Sequence, residues 1–176
     1  MDPVTLRLAQ VADLPPLLEL VEAAIATHLP EVLTPAEVAA SRAIMGVDRA
    51  LVEDGTYFIA EIDGALVGCG GWSRRATLYG GDHTPGRVPR LLDPKAEPAR
   101  VRAMYTRPGF TRRGVGRAIL DAAEAAARAE GFSEVQLAAT LSGLPLYDVA
   151  GYRAVEHFTD SAGGTPVPLV RMSKIL

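Results

Sequence analysis

Residues Met104–Arg128 read MYTRPGFTRRGVGRAILDAAEAAAR, and this stretch decides the fold. An apolar run ends near Thr106, and the chain turns through Arg107, Pro108 and Gly109. Arg112-Arg113-Gly114-Val115-Gly116-Arg117 then leads straight into an alanine-rich run. Val115, Ala118, Ile119, Ala122 and Ala126 recur at helical spacing, which predicts one buried helix face. Gly131 stands where a left-handed C-cap is expected. The pattern is strand, glycine loop, helix. The first helical turn carries unpaired N–H groups and the positive end of the dipole. Arg112, Arg113 and Arg117 oppose that dipole, and a bound phosphate or pyrophosphate would remove the conflict.

Two common anion loops do not fit. The Walker pattern needs Gly-Lys-Ser/Thr, and Gly116 is followed by Arg117-Ala118. The dinucleotide pattern needs a third glycine, and position 119 is Ile. The stretch instead resembles the acyl-CoA loop of the GNAT acetyltransferase superfamily, Q/R-x-x-G-x-G/A, with Gly114 and Gly116 in the glycine positions. Thr111 departs from the usual Gln or Arg. A second resemblance lies downstream, in Leu144-Pro145-Leu146-Tyr147 followed by Gly151-Tyr152. It is similar to the family's tyrosine-bearing helix that ends in Gly-Phe/Tyr.

At 176 residues, a single domain over 1–176 is expected. The hydrophobic fraction of 48% suffices for a core. Net charge −3 argues against nucleic acid, and no segment is apolar enough for a membrane span. Cys69 is the one cysteine, which excludes an internal disulfide and fits a reducing, cytoplasmic compartment. The first residues do not read as a signal peptide, since Asp2 and Pro3 replace a basic region.

In chain order, Val4–Leu8 alternates as a strand. Asp13 is expected to cap a helix running to about His28, with Leu14, Leu17, Leu18, Val21 and Ile25 buried. Thr34 and Glu37 form a capping box for a helix to about Met45, and Asp48–Glu53 adds a turn. Thr56–Ile62 and Ala65–Ser73 are strands joined at Asp63-Gly64. The glycines at 68, 70 and 71 signal a bulge or the close approach of a ligand. Arg75–Pro98 is a long loop without periodicity, expected to border the acceptor site or a subunit interface. Strands follow at Ala99–Thr106, Glu134–Ala138, Tyr152–Phe158 and Val167–Met172, with helices after the glycine loop and at Leu144. The expected class is α/β (α+β): a mixed, mostly antiparallel sheet of six to seven strands flanked by helices. This order resembles GNAT over nearly the whole chain.

The resemblance implies a splay between Ala99–Thr106 and Glu134–Ala138, with pantetheine paired to the backbone of Met104, Tyr105 and Thr106. It puts the pyrophosphate over Arg112, Arg113, Gly114, Val115, Gly116 and Arg117. Ser142 takes the place of an Asn that contacts the CoA arm. Tyr147 would be the general acid beside the thioester sulfur. No metal is expected. The activity implied is acetyl transfer from acetyl-CoA to an amine, small molecule or peptide, by direct attack; a homodimer is allowed. A non-catalytic acyl-CoA-binding or sensor module on the same fold is the alternative, and an unrelated phosphate-binding module a more distant one. Trp72 reads equally as acceptor-pocket wall or core. Cys69, His28 and His83 read as structural. Glu61 and Glu97 are the nearest carboxylates for a general base, and neither is compelling.

Overall fold

The computed structural model describes residues 2–176. Seven strands form one mixed sheet in the order β1-β2-β3-β4-β5-β7-β6. They are β1 (Thr5–Leu8), β2 (Tyr57–Ile62), β3 (Ala65–Ser73), β4 (Ala99–Thr106), β5 (Glu134–Thr140), β6 (Arg153–Asp160) and β7 (Val167–Ile175). Only β4 and β5 pair in parallel. The helices are α1 (Leu14–His28), α2 (Pro35–Ser41), α3 (Arg49–Glu53), α4 (Val115–Ala129) and α5 (Leu144–Val149). A core containing Leu17, Val21 and Ile25 of α1 and Leu51 of α3 also holds Tyr57, Ile59 and Cys69 from the sheet. A second contains Leu120 and Ala123 of α4 and Tyr147 of α5 with Val101, Val135 and Leu137. The sheet is thus covered on both faces, as its buried β-branched strands require.

Local chemistry places most boundaries. Asp63 and Gly64 both take positive φ, 51° and 76°, and close the β2–β3 hairpin. Thr34 and Glu37 make the reciprocal capping box of α2. At the end of α4, Phe132 N–H reaches Ala127 O at 3.2 Å and Gly131 N–H reaches Arg128 O at 3.0 Å, with Gly131 at φ 93°. That is the Schellman arrangement, and the left-handed residue is the glycine.

Four expectations are corrected. Asp13 does not cap α1 with its side chain; it bonds Gln10 N and Arg7, closing a preceding 3-10 turn. Leu18 is 58% exposed, and Leu20 is buried in its place. The proline pair at 15–16 made a leucine-rich first turn whose phase the sequence alone leaves ambiguous. In α4 the buried residues are Val115, Ile119, Leu120, Ala123, Glu124 and Ala127, while Ala118, Ala122 and Ala126 lie at its edge. Alanines on every side leave the pattern unable to fix the rotation. Finally, α2 ends at Ser41 rather than near Met45.

The glycines of β3 serve packing rather than a ligand. A Cβ on Gly68 would stand 2.4 Å from Val115 Cγ1, so α4 lies directly on this strand. A Cβ on Gly71 would stand 2.1 Å from Thr56 O, a backbone atom that has nowhere to go. Gly71→Ala is therefore expected to destabilise the protein by about 1–3 kcal/mol or more, as overpacking does. Urea unfolding of the variant measures this.

Candidate active site

The centre of the molecule is a break in the sheet. Only Ala99↔Val135 and Arg100↔Gln136 join β4 to β5, although β4 continues to Thr106 and β5 to Thr140. The cause is visible on the other edge of β4. Arg102 stands opposite Gly71 and Tyr105 opposite Cys69, so Ala103 and Met104 together face Gly70. This is a β-bulge, and Ala103 takes the left-handed conformation, φ 52°. A bulge bends its strand, and here β4 bends away from β5. Tyr57 Oη donates to Ala103 O at 2.8 Å and Gly46 N–H to Tyr105 Oη at 3.0 Å, pinning the bulged backbone from the α1 side.

The pleat decides what the opened strand presents. Arg107 N–H bonds Val67 O at 2.8 Å. The next pair, Gly68↔Thr106, is then the one that exchanges no bonds, and the Thr106 N–H and C=O point away from β3. Of these, the C=O already meets His28 Nε2 at 3.0 Å. The N–H faces the gap between β4 and β5.

Six regions wall the opening. They are Ile44–Met45, Leu78–Gly80 of the long loop, Val101–Tyr105 of β4, Leu137, Ala138 and Thr140 of β5, Tyr147 of α5, and Leu169 of β7. The glycine loop adjoins the end of β4. Gly114 caps α4 at φ 80°. A Cβ on Gly116 would stand 3.0 Å from Leu146 Cδ2 and 4.0 Å from Thr106 Oγ1. The free first-turn amides of α4 thus lie next to α5 and the tip of β4.

The residues singled out in the sequence fare differently. Met104, Tyr105 and Tyr147 line the cleft. Tyr147 is 7% exposed, stacks edge-on against Tyr152 at 5.7 Å, and its hydroxyl has no hydrogen bond among the described residues. Burial holds this phenol well above its usual pKa. Arg112 takes φ 59°, and Arg113 lies over the Phe110 ring at 4.9 Å. The guanidinium of Arg117 is paired with Asp121 at 2.8 Å. Val115 is buried against β3, so only its backbone can reach a ligand. Ser142 is exposed, 3.1 Å from Thr140 Oγ1.

Other assignments fall away. Trp72 belongs to the α4-side core, edge-on to Phe132 at 6.0 Å, and does not line the cleft. Cys69 is buried and its thiol is pushed up to about 12 by burial, so it is no nucleophile. Glu61 is tied to Arg7 on β1, and the half-buried Glu97 is held down to about 2, first by its bond to Arg90. Neither carboxylate reaches the cleft.

The structure brings in groups that sequence reasoning missed. Tyr79, in the long loop, lines the cleft and donates to Asp160 Oδ2 at 2.5 Å; burial and then Asp160 push its phenol up to about 12. Arg102, 3% exposed, pairs with the buried Asp48 at 2.8 Å and donates to Thr77 O and Gly80 O. Arg87 binds the other Asp48 oxygen at 2.8 Å and Gly81 O at 2.7 Å. These bonds clamp the loop over the cleft. The one signal for Arg102 was a charge alternating into a central strand.

The sequence profile of the acetyltransferase (GNAT) family matches residues 20–152. The chain belongs to this family. No curated protein sequence matches it. Among solved structures it is similar to a GCN5-related N-acetyltransferase from Rhodopseudomonas palustris, at 21% identity and TM-score 0.73, over 100% of this chain and 98% of that one. It is also similar to the PaiA N-acetyltransferase of Thermoplasma acidophilum in complex with coenzyme A, at 15% identity and TM-score 0.67, over 99% of each chain. The yncA protein of Salmonella typhimurium, a putative acetyltransferase solved with acetyl-CoA, matches at 17% identity and TM-score 0.65, over 98% of this chain and 94% of that one. The shared fold includes the expected mixed seven-stranded sheet.

Asp48→Ala would leave two guanidinium groups facing one another at a buried site. Removing one partner of a buried pair costs about 3–5 kcal/mol. The expected result is a loss of that size in denaturant unfolding.

Proposed function

We propose that this protein transfers an acetyl group from acetyl-CoA to an amine by direct attack within a ternary complex. The observation that carries the reading is the bulged β4, which opens beside a free helix N-terminus and an unpartnered tyrosine hydroxyl. The first-turn amides of α4, with Arg112 and Arg113, take the pyrophosphate. The Thr106 N–H pairs with the pantetheine arm, and β4 amides at the bulge stabilise the developing oxyanion. The amine lone pair forms the C–N bond as the C–S bond breaks, and proximity supplies much of the rate. Tyr147 gives its proton to the leaving thiolate. The amine proton passes to Tyr79, which passes its own to Asp160. The single buried thiol suits a reducing cytoplasm.

Calorimetry with CoA checks the donor site. Micromolar binding is expected, and its absence would overturn the reading. Gly114→Val is a poor probe, because φ 80° strains any β-branched residue. Arg112→Gly keeps a comfortable backbone at φ 59° and removes the whole side chain with its charge. Its affinity for CoA should fall about tenfold, as for one charged hydrogen bond.

Tyr147→Phe keeps the ring and its stacking. We expect kcat to fall about 10²-fold with the donor KM little changed, the low end for acid–base catalysis. Thiols leave readily, with a pKa of about 8.5, so a larger effect is not expected. A folded variant with unchanged kcat would favour a binding module over an enzyme.

Tyr79→Phe removes the relay but keeps the contact with Phe158. At neutral pH kcat/KM should fall, and the deficit should shrink as alkaline pH deprotonates the amine in solution. An unaltered pH profile would remove Tyr79 and Asp160 from the proton path.

A further inference from the structure

Arg102 stands out among the charged groups of the cleft wall. It is nearly fully buried, it lines the cleft below the bulge, and its Nε has no hydrogen-bond partner among the described residues. A buried N–H left unpaired costs free energy that a loop clamp does not require. The remaining nitrogens already hold the loop through Thr77 O and Gly80 O. Charge points the same way. Asp48 is the single counterion of two guanidinium groups, those of Arg87 and Arg102, so the cluster carries one net positive charge. Arg87 is open to water along part of its side chain; Arg102 is not. Positive charge in a dry wall calls for an anion, and a carboxylate accepting from Nε satisfies donor and charge together.

We infer that the acceptor is a small amino carboxylic acid, whose carboxylate is bound by Arg102 at the base of the cleft while its amine faces the bulge of β4. The inference rests on the acyltransferase reading and deepens it. Tyr79 lines the same cleft and, with Asp160 hydrogen-bonded behind it, suits the other end of such a molecule: the carboxylate attracts the ammonium before its proton is lost. An alkylamine or polyamine without a carboxylate would leave Nε unpaired and set an uncompensated ammonium against the Arg102 charge.

The test is a panel of matched acceptors with acetyl-CoA, read by thiol release. Each pair is an amino acid and its carboxamide, for α-, β- and γ-amino acids. The pair differs in charge and little in size. For at least one pair, kcat/KM should favour the carboxylate about 10- to 100-fold, the range for a hydrogen bond to a charged group. Turnover that ignores or disfavours the carboxylate throughout overturns the inference and leaves the acyltransferase reading standing. No thiol release with either member of any pair, from protein that binds CoA, brings down that reading and this one with it. Arg102→Lys adds a second measurement, with folding checked by thermal melting. The carboxylate preference should collapse through a raised KM for the acid. Equal losses for acid and amide would mark Arg102 as a loop clamp and overturn the inference. If the variant does not fold, the wild-type panel alone decides.

Discussion

The structure depends on the extra residue in β4. With Ala103 and Met104 both facing Gly70, the strand bends, and its parallel pairing with β5 ends after Arg100. A central strand normally pairs on both sides, and unpaired backbone in a core is costly. Here the cost falls along one edge of β4, the edge on which the proposed donor site is built. The left-handed backbone at Ala103 is a strained conformation for a residue with a Cβ. It persists because Tyr57 Oη bonds its carbonyl and Tyr105 Oη takes the Gly46 N–H.

The Arg75–Pro98 segment borders the same opening. It closes one side of the cleft with Leu78, Tyr79 and Gly80. Polar connections hold it, among them Arg75 to Asp54, Arg87 to Asp48, Arg102 to the Thr77 and Gly80 carbonyls, Thr84 to Ala43 O, and Tyr79 to Asp160. The bond from Arg75 is the first reason that Asp54 titrates below the usual carboxylate range. A depressed carboxylate stabilises the fold above its unfolded pKa, and that support is lost as pH falls through the lower folded value. The loop side of the cleft is therefore tied largely by charge, whereas the side next to the glycine loop is built from backbone and helix ends.

The expected sheet, its strand boundaries to within a few residues and the glycine loop were legible because they rest on local chemistry. Asp63-Gly64, the Thr34–Glu37 box and Gly131 each act over three or four residues. Phase within a helix was less legible. Leucines at 17, 18 and 20, or alanines on every side of α4, permit more than one buried face. Which face wins is settled by what it meets, such as Val115 against the bare backbone of Gly68.

The sequence by itself determined the order of elements, the glycine-and-arginine loop before α4, and a tyrosine on the short helix after β5. These follow from spacing, turn residues and capping, which act through neighbours in the chain. Only the tertiary structure decided what faces the cleft. Asp48 and Arg102 are 54 residues apart, and Tyr79 and Asp160 are 81 apart. Trp72, on the strand next to β4, packs into the α4-side core and not into the cleft. No local rule links such pairs, because they meet only when the loop folds over β4 and the sheet brings β6 round beside it.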